Sequence, residues 1–290
     1  MAEISAGAVK ELRDQTGAGM MDCKRALADA RGDVKKALEL LRERGLAKAG
    51  KREGRATSEG VIALEVEGRA GGLVELGCET DFVARTDLFT GLARSLAAAV
   101  ARDPGLDSPE ALLGARLGGE EVSERIRAAI ATLGENVQVK RVARLAVDAG
   151  LVRGYLHAGG KLGVLVALAT TAAGPEIEEL ARDVAMHVAA HDPSPVAVDQ
   201  GGVPAALLES ERAIYRKQAE QTGKPAAVQA RMVEGKLAKF VAEVCLLEQA
   251  FVKDSDKSVG DLLKEAGQRA GAPLRVVAFQ RFKLGGASAS

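Results

Sequence analysis

The first 50 residues carry apolar side chains at helical spacing, interrupted twice by glycine. This pattern predicts three short helices, with Ser5 capping the first and Asp33 capping the third. The second helix is expected at 20–30, between a glycine-rich stop at 16–19 and Gly32. The apolar positions that define the period are Val9, Leu12, Val34, Ala37, Leu38 and Leu41. Three helices in so few residues have a thin core, which is typical of a docking module.

A basic, glycine-containing segment follows from residue 42 to residue 60. Its cations are Arg42, Arg44, Lys48, Lys51, Arg52 and Arg55. A charge run of this kind predicts a solvated helix end or a linker, and it marks the first domain boundary.

The rest of the chain contains an internal repeat. Residues 68–76 match residues 160–168, and each segment is a glycine turn that leads into an apolar strand. A helical run follows each match and stops at an Asp-Pro pair, at 103–104 and at 192–193. Each copy therefore predicts a β-hairpin followed by a helix.

Further strands complete two sheets. The first strand of each hairpin is expected at 61–66 and at 151–157, and the closing strands at 137–147 and 274–283. We expect two antiparallel three-stranded sheets, each backed by helices and packed on the other through its apolar face. The predicted fold class is α+β.

The second copy carries an insertion with two long helical runs, at 204–221 and 225–247. Residues 222–224 predict a tight turn, and Pro225 suits the start of a helix. We expect an antiparallel helical hairpin of coiled-coil type. Its seam would join Leu207, Ile214 and Tyr215 to Val228, Met232, Leu237, Phe240 and Val244. Such a hairpin either projects towards a partner or folds flat on its own domain.

These patterns divide the chain into four parts. Residues 1–55 form the three-helix module with its basic linker, and residues 56–148 form the first core subdomain. The second core subdomain takes residues 149–203 and 248–290. The helical hairpin, residues 204–247, is inserted in it.

Composition describes a globular protein without an overall charge. The chain has 290 residues, of which 47% are hydrophobic and 28% charged, and its net charge is zero. No overall field therefore attracts nucleic acid or anionic lipid. No apolar run approaches the roughly 18 residues of a membrane helix, and the N-terminus lacks the layout of a secretory signal. We expect a cytoplasmic protein that binds neither nucleic acid nor membrane.

The cysteines and histidines predict no reactive centre. Cys23, Cys78 and Cys245 are isolated, which disfavours a zinc site or a disulfide framework and favours a reducing compartment. His187 and His191 lie four apart, but two nitrogens without a neighbouring carboxylate make a poor metal site. Phosphate-loop, nucleophile-elbow and zinc-protease motifs do not occur in the sequence. The sequence predicts no enzyme, no metal and no cofactor.

The junction Thr80-Asp81-Phe82-Val83 differs most between the two copies. It opens a helical run from Phe82 towards residue 100, with Thr80 as the N-cap and Asp81 at the positive end of the helix dipole. Phe82 is either a core residue, as most Phe are, or an aromatic contact for a partner. The matching junction, 169–175, has neither an aromatic nor an acid, which favours the contact.

A second candidate contact lies in the loop before the second predicted helix. Residues 17–21 combine glycine backbone with Met20 and Met21, whose unbranched side chains adapt to irregular surfaces. One of the two methionines belongs to the core in the alternative interpretation. Both interpretations hold in part.

Several of these stretches together resemble the bacterial elongation factor Ts family. The resemblance spans nearly the whole chain and its motifs occur in order. They are Thr-Gly-Ala-Gly-Met-Met-Asp-Cys-Lys at 16–24, Thr-Asp-Phe-Val-Ala at 80–84, Gly-Glu-Asn-Val at 134–137, Tyr-Leu-His at 155–157, Gly-Val-Leu-Val at 163–166, Ala-Met-His at 185–187 and Met-Val-Glu-Gly-Lys-Leu at 232–237.

The resemblance implies a guanine-nucleotide exchange factor for the translational GTPase elongation factor Tu. It also implies a ubiquitin-associated-like (UBA-like) N-terminal module, a two-part core and a coiled-coil protrusion. In the family, the segment matched by Thr80, Asp81, Phe82 and Val83 enters the GTPase and disturbs its Mg²⁺ site. The factor itself binds no nucleotide.

The resemblance further implies two docking regions. The region around Met20, Met21 and Lys24 is similar to the part that docks on the nucleotide-binding domain, and His157 matches a position that approaches the GTPase. Some relatives carry helical sequence beyond the closing strand, whereas residues 285–290 here predict only a flexible tail. The competing interpretation is a non-exchanging adaptor or chaperone-like binding protein.

Overall fold

The computed structural model describes residues 4–16, 18–50, 52 and 54–286, with the backbone alone at 45–50. Gly17, within the predicted glycine stop, and residues 287–290, within the predicted tail, lie outside these ranges. No helix in the described part of the chain is long and apolar enough to cross a bilayer.

The N-terminal part consists of α1 (Ala6–Thr16), α2 (Met20–Asp29) and α3 (Val34–Gly50). Both predicted caps are confirmed, since Ser5 Oγ accepts from the Ala8 N–H at 3.1 Å and Asp33 Oδ1 accepts from the Lys35 N–H at 3.0 Å. The buried core of these helices is Val9, Leu12, Cys23, Ala26, Leu27, Ala30 and Ala37. Because α3 continues to Gly50, the first part of the predicted basic segment, from residue 42, is helical.

The first sheet is built from residues 59–146. Its elements are, in chain order, β1 (Glu59–Glu67), β2 (Ala70–Cys78), α4 (Asp81–Ala84), α5 (Asp87–Arg102), α6 (Pro109–Gly114), β3 (Arg116–Leu117), β4 (Glu120–Glu121), α7 (Val122–Leu133) and β5 (Val137–Ala146). The strands form an antiparallel three-stranded sheet, as predicted, and their order is β1-β2-β5. The helical run expected from Phe82 is not continuous, because Thr86 caps a second helix by accepting from the Phe89 N–H at 3.3 Å.

The second sheet repeats this arrangement. Its elements are β6 (Gly150–Leu156), β7 (Leu162–Ala169), α8 (Pro175–Ala190), α9 (Ala205–Glu220), α10 (Ala226–Val244), β8 (Ala250–Phe251), β9 (Asp254–Ser258), α11 (Val259–Ala270) and β10 (Arg275–Lys283). The sheet is again antiparallel and three-stranded, as predicted, and its strand order is β10-β7-β6.

The two sheets pack on each other, which confirms the predicted apolar interface. The shared cluster is Ile62, Leu73, Leu145, Val152, Leu165, Ala167 and Phe282. Gly71 allows the close approach, because a Cβ there would lie only 2.8 Å from a Leu165 methyl carbon. At the edge of the interface Arg141 pairs with buried Glu75 at 2.5 Å and lies 4.3 Å from the centre of the Phe282 ring.

The helices α9 and α10 form an antiparallel pair. Lys236 Nζ donates to Gln218 Oε1 at 2.6 Å, and Gly223, with φ of 65°, makes the turn. Leu237 and Val244 are buried as predicted, but Ile214 and Val228 are exposed by 44% and 39%. The prediction that these two side chains are covered in the seam is wrong. Towards the far end of the pair, each helix covers only a narrow stripe of the other.

The base of this helical pair is fixed to α8 by a buried histidine. The His187 Nδ1 accepts from the Val252 N–H at 3.2 Å, which leaves the proton on Nε2 to donate to Gln249 Oε1 at 3.0 Å. The Gln249 amide in turn donates to the backbone oxygen of Glu243 in α10 at 2.7 Å. His187 is thus a buried polar residue of the core. Its ring is bonded in the neutral form.

Burial lowers the pKa of His187 below its ordinary value, and the nearby His191 ring lowers it further. In the unfolded chain the imidazole takes up a proton below about pH 6.5. The folded protein resists that proton until a lower pH, so the unfolded state binds more protons in this window. Stability is therefore lost as the pH falls from 6.5 towards the folded pKa.

We expect the free energy of unfolding to fall between about pH 7 and pH 5, and the slope to be shallower in His187→Gln. Urea denaturation of both proteins at the two pH values measures this. The variant Val277→Ala, at an exposed side chain that does not titrate, is the control and keeps the wild-type slope. If the free energy of unfolding depended equally on pH in all three proteins, His187 would not be the source of the pH dependence.

Candidate partner-docking site

The end of β2 turns directly into α4, and this 79–84 turn carries the four predicted contact residues. Thr80 is the N-cap, since its Oγ1 accepts from the Val83 N–H at 3.4 Å. Asp81 lies in the first helical turn and pairs with Arg85 at 2.8 Å on the surface. The predicted cap is confirmed.

Phe82 projects from this turn with 80% of its surface exposed. Its neighbours Val83 and Ala84 are only 9% and 5% exposed and belong to the core of the first sheet. An exposed Phe forgoes roughly 1.5–3 kcal/mol that burial would contribute. The ring is therefore outside the core, while the two residues after it anchor the helix.

Glu135 holds the start of the turn from the side. Its Oε2 accepts from the backbone N–H groups of Glu79 at 3.1 Å and Thr80 at 2.9 Å. Its Oε1 accepts from the Thr80 hydroxyl at 2.5 Å. One carboxylate thus satisfies two backbone N–H groups just beyond β2 and the hydroxyl of the cap.

The residue after Glu135 is also hydrogen-bonded to the start of the turn. The Asn136 N–H donates to Glu79 Oε1 at 2.7 Å, and the Asn136 side-chain amide donates to the Arg55 backbone oxygen at 2.7 Å. Arg55 also lies 3.5 Å from the Glu79 carboxylate. The 79–84 turn, the start of β5 and the segment that leaves the N-terminal helices are therefore joined.

Cys78 lies behind the turn with no exposed surface. Its thiol donates to the Thr80 backbone oxygen at 3.1 Å. Burial, together with the negative charge of Glu135, raises the pKa of Cys78 to about 12. The thiol is therefore neutral and unreactive at physiological pH, as a structural cysteine is.

The other predicted contact residues lie on two separate elements. Met20 and Met21 begin α2 and are 48% and 61% exposed, and Lys24 follows on the same helix, also exposed. Neither methionine is therefore buried. His157 is exposed after the end of β6, and its Nδ1 lies 3.0 Å from the Tyr155 hydroxyl.

The structure brings together only some of the predicted contact residues. Thr80, Asp81, Phe82 and Val83 share one turn, whereas no hydrogen bond or ion pair among the described residues joins that turn to α2 or to His157. Within the described residues, no three His, Cys, Asp or Glu side chains are grouped to hold a metal ion.

Sequence reasoning missed the role of Glu135. The Gly-Glu-Asn-Val stretch at 134–137 indicated only a family resemblance. The strand register places it, because Cys78 pairs with Val137 and so brings the residues just beyond each together. Pairing the closing strand with β2 in this register would have located it, but neither the pairing nor the register was predicted from the sequence.

Comparison with known proteins gives one consistent family. The family profile described as Elongation factor TS matches residues 79–286. Proteins described as Elongation factor Ts from Clostridium perfringens strain SM101 and Prosthecochloris aestuarii are each 45% identical, over 97% and 98% of this chain and 93% and 100% of theirs. The Elongation factor Ts of Caulobacter vibrioides is 44% identical over 98% of this chain and 93% of its own.

The exposure of Phe82 predicts a contrast with Phe89, seven residues later and fully buried. We expect Phe89→Ala to lower the free energy of unfolding by about 3–5 kcal/mol, because it leaves a cavity. Phe82→Ala should change it by less than about 0.5 kcal/mol. Chemical denaturation of the two variants measures both values. Comparable losses in the two would place Phe82 in the core.

Proposed function

Because the chain belongs to the elongation factor Ts family, it is a translation elongation factor, and we propose that it is the guanine-nucleotide exchange factor of the GTPase elongation factor Tu. It binds the GDP complex of that GTPase, promotes GDP release and leaves the site open for GTP. It needs no catalytic group, nucleotide or metal of its own, and it acts in the cytoplasm.

The observation that carries this proposal is the 80% exposure of the Phe82 ring on an anchored turn. A large aromatic side chain held in water by a rigid support is pre-organised to enter a partner, because little conformational freedom is lost on binding. Aromatic side chains are also frequent among the residues that dominate interface energies. The neighbouring Asp81 carboxylate adds a charge that the partner meets at the same place.

The mechanism follows from how GTPases hold GDP. Backbone amides, a lysine and Mg²⁺ bind its phosphates. Insertion of Phe82 displaces the elements that position the metal and the phosphate loop, and each ~1.4 kcal/mol lost weakens GDP binding tenfold. By linkage, GDP weakens binding of the factor by the same amount. Rebinding of nucleotide therefore releases the factor.

Met20, Met21 and Lys24 are proposed to dock on the nucleotide-binding domain, with His157 as a further contact. The two exposed methionines suit an apolar surface that must fit a partner in more than one nucleotide state, because the thioether side chain is adaptable. Tyr155 holds the His157 ring through their 3.0 Å contact and so limits its orientations.

Stopped-flow release of a fluorescent GDP analogue from elongation factor Tu tests the exchange function. We expect this protein to accelerate release by about tenfold or more, and Phe82→Ala to lose most of that gain. Val277→Ala, at a 47% exposed apolar side chain of β10, is the control and retains it. Binding without acceleration would instead identify a non-exchanging adaptor or chaperone-like protein.

The docking role of α2 predicts a different kinetic signature. Replacing Met20 and Met21 together by alanine should raise the factor concentration needed for half-maximal release, by about tenfold, because binding area is lost. The release rate at saturation should stay near the wild-type value, since Phe82 is intact. A fall in the saturating rate with unchanged concentration dependence would disprove this division of roles.

A further inference from the structure

The 79–84 turn is too short to hold its own shape. Its helix, α4, has four residues, and an isolated turn of helix is unstable in water. Phe82 contributes little to its own placement, since its ring is 80% exposed. The direction of the ring therefore depends on what fixes the two ends of α4.

The two ends are fixed in different ways. Behind Phe82, Val83 and Ala84 are buried in the first core. Ahead of it, Thr80 Oγ1 accepts from the Val83 N–H and at the same time donates to Glu135 Oε1. Since one hydroxyl makes both contacts, the Glu135 carboxylate orients the cap that begins the helix.

We propose that Glu135 is the positioning residue for Phe82: its carboxylate fixes the turn from which the ring enters the GTPase, and it touches neither nucleotide nor partner. This inference rests on the proposed exchange function. It gives a role to a side chain that the four-residue contact segment does not include.

Glu135 is itself held firmly. It follows Gly134, which ends α7 in the left-handed region with φ of 81° and donates to the Ile130 backbone oxygen at 3.0 Å. Asn136, next in the chain, is 3% exposed and bonded to Glu79 and Arg55. The carboxylate therefore reaches the turn from a rigid base.

The chemistry requires a carboxylate at this position. Both oxygens of an ionised glutamate are acceptors, and here they meet two backbone N–H groups and one hydroxyl. In Glu135→Gln the amide NH₂ either opposes the two backbone N–H groups or, turned over, donates to the Thr80 hydroxyl, whose own proton then loses its acceptor. The length of the side chain is unchanged, so the variant tests the bonding pattern and not the packing.

The distinguishing readout is the split between affinity and maximal rate. For Glu135→Gln we expect the saturating rate of GDP release to fall by about tenfold or more. Its dissociation constant for the nucleotide-free GTPase should change by less than about threefold, because the docking surface of α2 is untouched. Glu110→Gln, an exposed glutamate of α6, removes the same charge and should leave both values unchanged.

A double-mutant cycle then shows whether Glu135 acts through Phe82. In a Phe82→Ala background, Glu135→Gln should have little further effect on the saturating rate, because there is no ring left to position. Additive losses would overturn the proposal and indicate general destabilisation. Thr80→Val, which removes the shared hydroxyl, should reproduce the rate loss and provides a second variant if Glu135→Gln melts early.

The outcomes separate this inference from the exchange function. If the wild-type protein does not accelerate release, the exchange function fails first. If it does accelerate release, and Phe82→Ala is impaired while Glu135→Gln and Thr80→Val match the wild type, only the positioning role is wrong.

Discussion

The packing of one three-stranded sheet on the other is the constraint on which the rest of this protein depends. Each sheet is backed by helices on one face, and its second face carries apolar side chains whose exposure to water would be unfavourable. The shared layer of Ile62, Leu73, Leu145, Val152, Leu165, Ala167 and Phe282 covers both. Glu75 and Arg141, neighbours on β2 and β5, form a buried ion pair. They are also bonded to the backbone of Lys283, at the end of β10, and of Gly285 just after it. An unpaired charge there would be costly.

Because this interface covers the apolar faces of both sheets, the ends of the strands are available for other contacts. The apolar cores are complete without Phe82, Met20 or Met21, so these side chains can stay in water without loss of the fold. The exposed ring lies where β2 ends, and two backbone N–H groups just beyond that strand are satisfied by the carboxylate of Glu135. Stability and contact chemistry thus rest on different residues within one short segment.

Much of this architecture follows from sequence pattern. The internal repeat predicts both three-stranded sheets, because apolar strands and glycine turns have strong local signatures. The caps Ser5, Asp33 and Thr80 are equally local. The break between α4 and α5 was missed, because Thr86 competes for a helix start inside an apolar period. Exposure of Ile214 and Val228 depends on how little surface a partner helix covers, and the bonding of Glu135 depends on strand register. Neither the exposure of these two side chains nor the bonding of Glu135 can be inferred from a short stretch of sequence.

The continuation of α3 to Gly50 has a consequence for how the protein meets a partner. The helix packs along α7, and Arg52 donates to the Ile130 backbone oxygen at 3.2 Å near the end of that helix. The methionine pair and the aromatic ring are therefore carried on connected helices, not on independent bodies. In the complex proposed above, binding of one surface would present the second at a high effective concentration, without the loss of linker freedom that a flexible tether would impose. Two individually modest contacts would then add up to bivalent binding of the proposed partner.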